Sequence, residues 1–311
     1  MKSHTVFILS LWTASSLFAL PSSNNSTLDR PIVSKGDGPN FYVDYSNFRG
    51  LDKETFVEFY VQVSYDELQF FKHLDRFRAG YDLTLDVLDT NGQVLEKHQN
   101  RDVFEVGTYL ETQSVQKARV SLVGYTLPPG RYTLRAQLTD IETRHSTNIE
   151  ETFRAEDFSS PNLMMSDIQF SHNITPAEDG QPYVKNQRYI EPNAVRNFAH
   201  GMTEYFYVYF EVYNLKTKYH EKNEGTYQVQ FIFGDSEGQR IAQLKRPTEK
   251  PGATSAHSLR FRLDHFEAGD YTLTVRITDK ATGFTSENSN SFSVLDLPFS
   301  VSEADFRTPN H

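Results

Sequence analysis

Long stretches of this chain alternate apolar and polar residues with a period of two, the pattern of a strand covered on one face only. In the run Tyr271 to Thr278 the alternation predicts Tyr271, Leu273, Val275 and Ile277 pointing inward and Thr272, Thr274, Arg276 and Thr278 pointing outward. Phe206, Val208, Phe210 and Val212 are predicted to face a core in the same way. Helical periodicity is almost absent. Alternation of this kind argues for antiparallel sheets with one packed and one solvated face, so the predicted fold class is all-β.

The runs occur twice. Pro129 to Asp140 matches Ala268 to Asp279 at an offset of 139 residues, and at that offset Val120 and Leu122 fall on Leu259 and Phe261, Leu127 on Phe266 and Phe153 on Phe292. Earlier in each half Tyr81 to Leu85 answers Tyr227 to Phe231, Asp89 to Gly92 answers Asp235 to Gly238, and Phe59, Val61 and Val63 answer Val208, Phe210 and Val212. Loops differ in length while strands persist. Roughly seven strands per half predict two tandem antiparallel β-sandwiches of the immunoglobulin or fibronectin kind, related by internal duplication. Gly130-Arg131-Tyr132 and Gly269-Asp270-Tyr271 suggest tyrosine corners, in which the Tyr hydroxyl bonds back to nearby backbone. Asn91-Gly92 predicts a type I′ hairpin turn, and Asp235-x-x-Gly238 supports the same turn in the second half. The sandwiches are placed at 39–158 and 162–297, joined by the short linker Ser159-Ser160-Pro161, which implies restricted relative motion.

The first residues look like a targeting segment. Lys2 precedes the apolar stretch Val6 to Leu20, and 1–20 are assigned as a signal peptide, with an uncleaved anchor as the alternative. A Ser, Asn, Pro and Gly rich leader, 21–38, follows it, and 298–311 form a C-terminal tail. Together these features predict an exported chain, periplasmic or extracellular, with no membrane span after the signal. The absence of cysteine excludes disulfides, thiolate metal sites and a cysteine nucleophile. Removing 1–20 takes away Lys2 and no acid, so the formal charge moves from −10 to −11. That sign argues against nucleic acid and anionic membranes as partners.

One ordered set of segments resembles a known family. Leu163 to Ile168, Ile190-Glu191-Pro192-Asn193, Tyr209 to Leu215 and the two Gly-x-Tyr-x-Leu strands are similar to the N-terminal β-sandwich region of bacterial proteins named for a Gly-Trp-x-Thr-Asp motif. The name-giving C-terminal domain is not found in this sequence. The resemblance implies an exported bacterial envelope protein and carries over no catalytic residue.

The sequence carries no recognised catalytic motif. There is no His-Glu-x-x-His, nucleophile elbow, phosphate-cradling glycine loop or nucleotide fingerprint, and His220-Glu221 lacks the second histidine of a helical zinc site. Asp89-x-Asn91-Gly92 is explained by a turn better than by a calcium loop, and the acids Asp264, Glu267 and Asp270 are read as a solvated loop. No catalytic residue, metal or other cofactor is assigned. Binding is suggested by one strand: with Phe206, Val208, Phe210 and Val212 inward, Tyr205, Tyr207, Tyr209 and Tyr213 line the other face with Glu211. Such a face suits sugar rings or a protein partner. The alternative is that these tyrosines pack on the other domain or on the segment from Ile174 to Asn197, whose polar part, Thr175 to Gln187, has no counterpart in the first half. The leading expectation is a non-enzymatic envelope interaction or scaffold module whose partner is another exported or envelope protein. A carbohydrate-binding module for polysaccharide is the alternative, and a hydrolase on a sandwich scaffold stands behind both.

Overall fold

The computed structural model describes residues 31–216 and 225–296. The assigned signal peptide, leader residues 21–30, His220-Glu221 and the tail 298–311 lie outside the described residues.

Among the described residues the first half contains ten strands: β1 (Ile32–Val33), β2 (Lys35–Gly36), β3 (Tyr42–Arg49), β4 (Thr55–Ser64), β5 (Phe71–His73), β6 (Arg76–Leu88), β7 (Val94–Val106), β8 (Ala118–Leu127), β9 (Gly130–Asp140) and β10 (Ser146–Ala155). They form a four-stranded sheet, β1-β3-β4-β8, packed on a second sheet ordered β2-β10-β9-β6, in which β6 also pairs with β5 and β7. The second half contains β11 (Met164–Met165), β12 (Gln169–Pro176), β13 (Val184–Lys185), β14 (Arg188–Pro192), β15 (Asn197–His200), β16 (Tyr205–Tyr213), β17 (Thr226–Asp235), β18 (Arg240–Glu249), β19 (Thr254–Arg262), β20 (Gly269–Asp279) and β21 (Thr285–Asp296). Its sheets are β11 and β12 beside β16, extended by β14-β13 on one side and β19 on the other, and β15-β21-β20-β17-β18. Each half is an all-β sandwich. The segment assigned to the leader enters the fold earlier than expected: Ile32 and Val33 pair with Val43 and Tyr42, and Lys35 and Gly36 with Asn148 and Thr147.

The duplication is visible in pairing register. Tyr81 lies opposite Asp140 in the first half and Tyr227 opposite Asp279 in the second, as the sequence offsets require. Both corners form: the Tyr132 hydroxyl donates to the Pro128 carbonyl at 2.7 Å and the Tyr271 hydroxyl to the Glu267 carbonyl at 2.9 Å. The two rings stack on Phe153 and Phe292 at centroid distances of 5.6 and 5.5 Å. Leu83, Leu85, Leu134 and Leu138 build one core, and Val229, Phe231, Leu273 and Ile277 the other. Each such side chain contributes roughly 1.5–3 kcal/mol by leaving water.

Two expectations are corrected. Only Gly92 has positive φ (82°) in the β6–β7 turn, and Asp89 caps it by accepting from the amides of Asn91 and Gln93. This is a type I turn closed by a left-handed glycine, not a type I′ turn. Gly238 (φ 77°) and Asp235 repeat it, so Asp-x-x-Gly carries the turn and Asn91 is incidental. The second correction concerns β8. Val123, opposite Phe59, faces the first core, whereas Leu122 lies opposite Tyr60 on the outer side. In β19 it is Phe261 and Leu259, opposite Phe206 and Val208, that face inward. Phe59 and Val208 are equivalent, so their partners Val123 and Leu259 are too; the repeats are offset here by 259 − 123 = 136 residues instead of 139, and an odd slip exchanges the faces of a strand.

Candidate functional site: the tyrosine face and the domain junction

The outer face of β3 and β4 is not solvated. Beyond the core-facing Val43, Val57, Phe59 and Val61, the alternate residues Asp44, Ser46, Phe48, Glu58 and Tyr60 are buried as well. The second sandwich covers them. Phe48 packs with Tyr209 and Ile190 in a cluster of its own, flanked by Phe56, Ile174 and Ala256. A Cβ at residue 124 would lie 2.5 Å from the Phe56 ring, so Gly124 is what lets that ring lie flat on the sheet.

Polar groups fill the rest of the junction, and most of them are paired across it. Arg196 grips the Asp44 carboxylate with two guanidinium nitrogens, one of them Nε at 2.7 Å, and both side chains are buried. Lys185 Nζ lies 2.5 Å from Glu58 Oε2 and 2.6 Å from Gln169 Oε1. Asp167 sits in the gap between β11 and β12, where its Oδ2 accepts from the Asn47 amide and side chain and its Oδ1 from Asn288. Burial pushes the Asp167 carboxyl above the usual range despite those donors. Gln62 accepts from the Ala194 amide at 3.1 Å, and Tyr183 donates to the Val120 carbonyl at 2.6 Å. The linker joins in: Phe158 packs edge-on against Tyr213, and Asn214 donates to the carbonyls of Ser160 and Asn162. Arg49 stacks over the Tyr213 ring at 4.4 Å and donates to Asn214 and Thr254.

The five residues singled out on β16 therefore separate. Tyr209 and Tyr213 are fully buried in the junction, donating to the two oxygens of Glu211 at 2.6 and 2.9 Å. Burial and that carboxylate raise both phenols far above their ordinary pKa. Tyr205 and Tyr207 remain half-buried at the start of the strand, and the Arg260 guanidinium lies 4.5 Å over the Tyr205 ring. The polar segment Thr175 to Gln187 is a strap, not a loose loop. β12 continues to Pro176, and the β13–β14 hairpin folds back on it with Ile190 and Tyr189 opposite Ile174 and Thr175. Sequence reasoning missed Asp44, Glu58, Lys185 and Arg196 as a group. The available signal was a pair of acids on the polar side of β3 and β4, with no like pattern in β12 and β16.

Other candidates resolve into structure. Asp264 is held by Arg262, and Asp270 accepts from Ser293 at 2.6 Å. Among the described residues no group of three or more His, Asp or Glu is placed to hold a metal ion, and no helix is long and apolar enough to cross a membrane. Two adjoining clefts of about 170 and 400 Å³ share Asn197, Asp270 and Ser293, and the smaller one is also lined by Pro31 and Tyr42 of the first half.

No family model matches the chain, and no curated protein matches it. Among solved structures it is similar to a Bacteroides uniformis β-glucuronidase (14% identity, TM-score 0.27, 79% of this chain and 26% of that one). It is also similar to a putative β-galactosidase from Bacteroides fragilis (14%, 0.24, 86% and 35%). A third is a DUF4785 family protein from Legionella pneumophila (11%, 0.23, 83% and 58%). The chain thus spans about a quarter to somewhat over half of their lengths, and at these scores none of them bears on activity.

Proposed function

We propose that this chain is an exported, non-enzymatic interaction or scaffold module of a bacterial envelope, acting in the periplasm or outside the cell. The observation that carries the reading is the junction. Two sandwiches locked face to face through Arg196–Asp44, Lys185–Glu58 and Asp167–Asn47 form one block. What such a block offers a partner is its outer faces and its free sheet edges. The long strands β7 and β18 lie at those edges, each paired on one side only among the described residues and mostly exposed. Exposed edges are where other chains add strands. The family resemblance of Ile190 to Asn193 and Tyr209 to Leu215 points the same way.

The test is affinity capture from native envelopes with residues 21–311, followed by identification of what is retained. A defined protein partner whose capture is lost in Gln243→Pro, at a β18 position whose backbone nitrogen, like that of Pro247 in the same alternation, faces away from β17, with an unchanged folded spectrum, supports the reading. Retention of nothing, or equal retention by the variant and by an equivalent β7 variant, argues against it. A carbohydrate reading has a narrower basis, the half-buried pair Tyr205 and Tyr207. Retention on envelope polysaccharide that is lost in Tyr205→Ala/Tyr207→Ala would move it ahead.

A further inference from the structure

The strap places a lysine where a ligand would sit. Lys185 Nζ lies 4.0 Å from the centroid of the Phe48 ring and 5.0 Å from that of Tyr209, with Glu58 and Gln169 taking two of its hydrogen bonds. Two aromatic faces and a carboxylate around an ammonium are the arrangement by which proteins recognise cationic ligands. The occupant reaches it on an appended hairpin with no counterpart in the first half, where β3 turns directly into β4.

That hairpin holds its shape at a cost. Tyr183, Asn186 and Gln187 all have positive φ (60°, 46° and 62°), a conformation that asparagine adopts readily and a bulky residue such as tyrosine only under strain. Beneath it Gln169 Nε2 and Ser171 Oγ are buried with no hydrogen-bond partner among the described residues. Strained backbone above and unsatisfied polar atoms below mark the least favourable part of an otherwise well-paired junction. If the hairpin lifts, the edge of β12 from Ser171 to Pro176, now paired with β14, becomes available to another strand.

We propose that the Phe48–Tyr209–Glu58 box is a receptor for a lysine side chain, that Lys185 is its tethered occupant, and that a lysine-bearing extended segment of a partner protein replaces the strap. The partner's backbone pairs with β12 and its ammonium enters the box. Main-chain pairing then provides affinity and the lysine provides register, as in other strand additions. Charge favours such a partner, since the chain has a formal charge of −10 and Glu211 stands beside the box. The inference rests on the interaction reading and names the chemistry of its partner.

The experiment uses the chain 21–311 and two fluorescent peptides copying residues 181–192, one unchanged and one with norleucine in place of Lys185. The expected result is saturable binding of the lysine peptide, at least tenfold weaker binding of the norleucine peptide, and faster hydrogen exchange of the strap amides when the lysine peptide is present. Glu58→Gln should erase the difference between the peptides; should that variant fail to fold, the exchange measurement on the unmodified chain decides. Strap amides that exchange only as slowly as those of β16, or peptides that bind equally or not at all, overturn the proposal. The peptides need no natural partner, so the two readings fail separately. Binding with empty envelope captures leaves the box and removes the scaffold reading, and equal peptides with a captured partner do the reverse.

Discussion

In the first half β3 runs into β4 through the tight turn Gly50 to Glu54, closed by the Gly50 amide on the Glu54 carbonyl. In the second half β12 and β16 are kept apart by residues 177–204, and those residues carry both Lys185 and Arg196. The cores beneath are built alike, with the same corners, the same capped turns and the same register. The junction is therefore an asymmetric product of a symmetric duplication. One copy supplies carboxylates on an outer sheet face, Asp44 and Glu58, and the other supplies cations on inserted chain. A duplicated sandwich can fold from its inward residues alone, while its outward residues decide what it packs against.

The sharpest way to break this asymmetry is to remove one partner of the Arg196–Asp44 pair. Arg196→Ala leaves a buried carboxylate without its cation and is expected to cost about 3–5 kcal/mol in urea denaturation, with Asp44→Ala similar. Replacing both with apolar residues of like volume should recover most of that loss. On the outer face of the first sandwich, Arg101–Asp82 has better geometry on paper, with contacts of 2.6 Å, yet it is solvent-exposed, and Arg101→Ala should stay within roughly 0.5 kcal/mol. Comparable losses at both sites would mean that water reaches the Arg196–Asp44 pair.

Acid should separate the halves next. His257, in the second sandwich, stacks on Phe210 at 4.7 Å and lies 2.6 Å from the Tyr227 hydroxyl. Burial, helped by Arg246, pushes its pKa down to about 4. The unfolded chain therefore binds the proton first, near pH 6.5, and the folded chain only near pH 4, so stability falls as pH drops through that window. The loss is at most about 3 kcal/mol. Burial also lowers His172, in the same sandwich. Asp167 works in the opposite sense, because its raised carboxyl pKa makes the folded state hold a proton more readily than the unfolded one. Denaturation at pH 7 and pH 4.5 should show a smaller pH slope for His257→Gln than for the parent chain. Parallel slopes would place the acid sensitivity elsewhere.

Packing at the junction gives a smaller effect. Gly124→Ala pushes a methyl into the Phe56 ring and should cost about 1–3 kcal/mol, because the ring is itself pinned in the inter-domain cluster. Gly92→Ala meets open space and is penalised only through its positive φ, by about 1 kcal/mol. Chemical denaturation of the two variants checks the order.

These contrasts also show which parts of the molecule were legible beforehand. Period-two alternation marks core residues wherever one face is wet, as in β20, because burial selects apolar side chains every second position. It misleads in β3 and β4, where Asp44 and Glu58 are polar and still buried, because the cations that pair with them, Arg196 and Lys185, come from chain 120 or more residues away. The Asp-x-x-Gly turns are readable since a local side chain and a local glycine determine them. The slip between β8 and β19 is not, because Val120 and Leu122 are as apolar as the true counterparts of Leu259 and Phe261. Tyr209 and Tyr213 had two readings on paper, ligand face or inter-domain contact, and the choice between them depends on where a whole second sandwich docks.

The smallest predicted effect sharpens the comparison most, because it asks whether equal geometry means equal energy. Tyr132 and Tyr271 make the same hydrogen bond four residues back and stack on equivalent phenylalanines, but Tyr132 is buried whereas Tyr271 is half-exposed. A hydrogen bond in drier surroundings leaves a costlier unpaired carbonyl when it is lost. Tyr132→Phe should therefore cost about 1 kcal/mol and Tyr271→Phe about half as much, with the double variant additive because the two corners share no partner. Urea midpoints of the three variants measure this. Equal losses would mean that the corner acts through pinning its own loop, independent of burial, and that the two sandwiches are interchangeable in energy as well as in register.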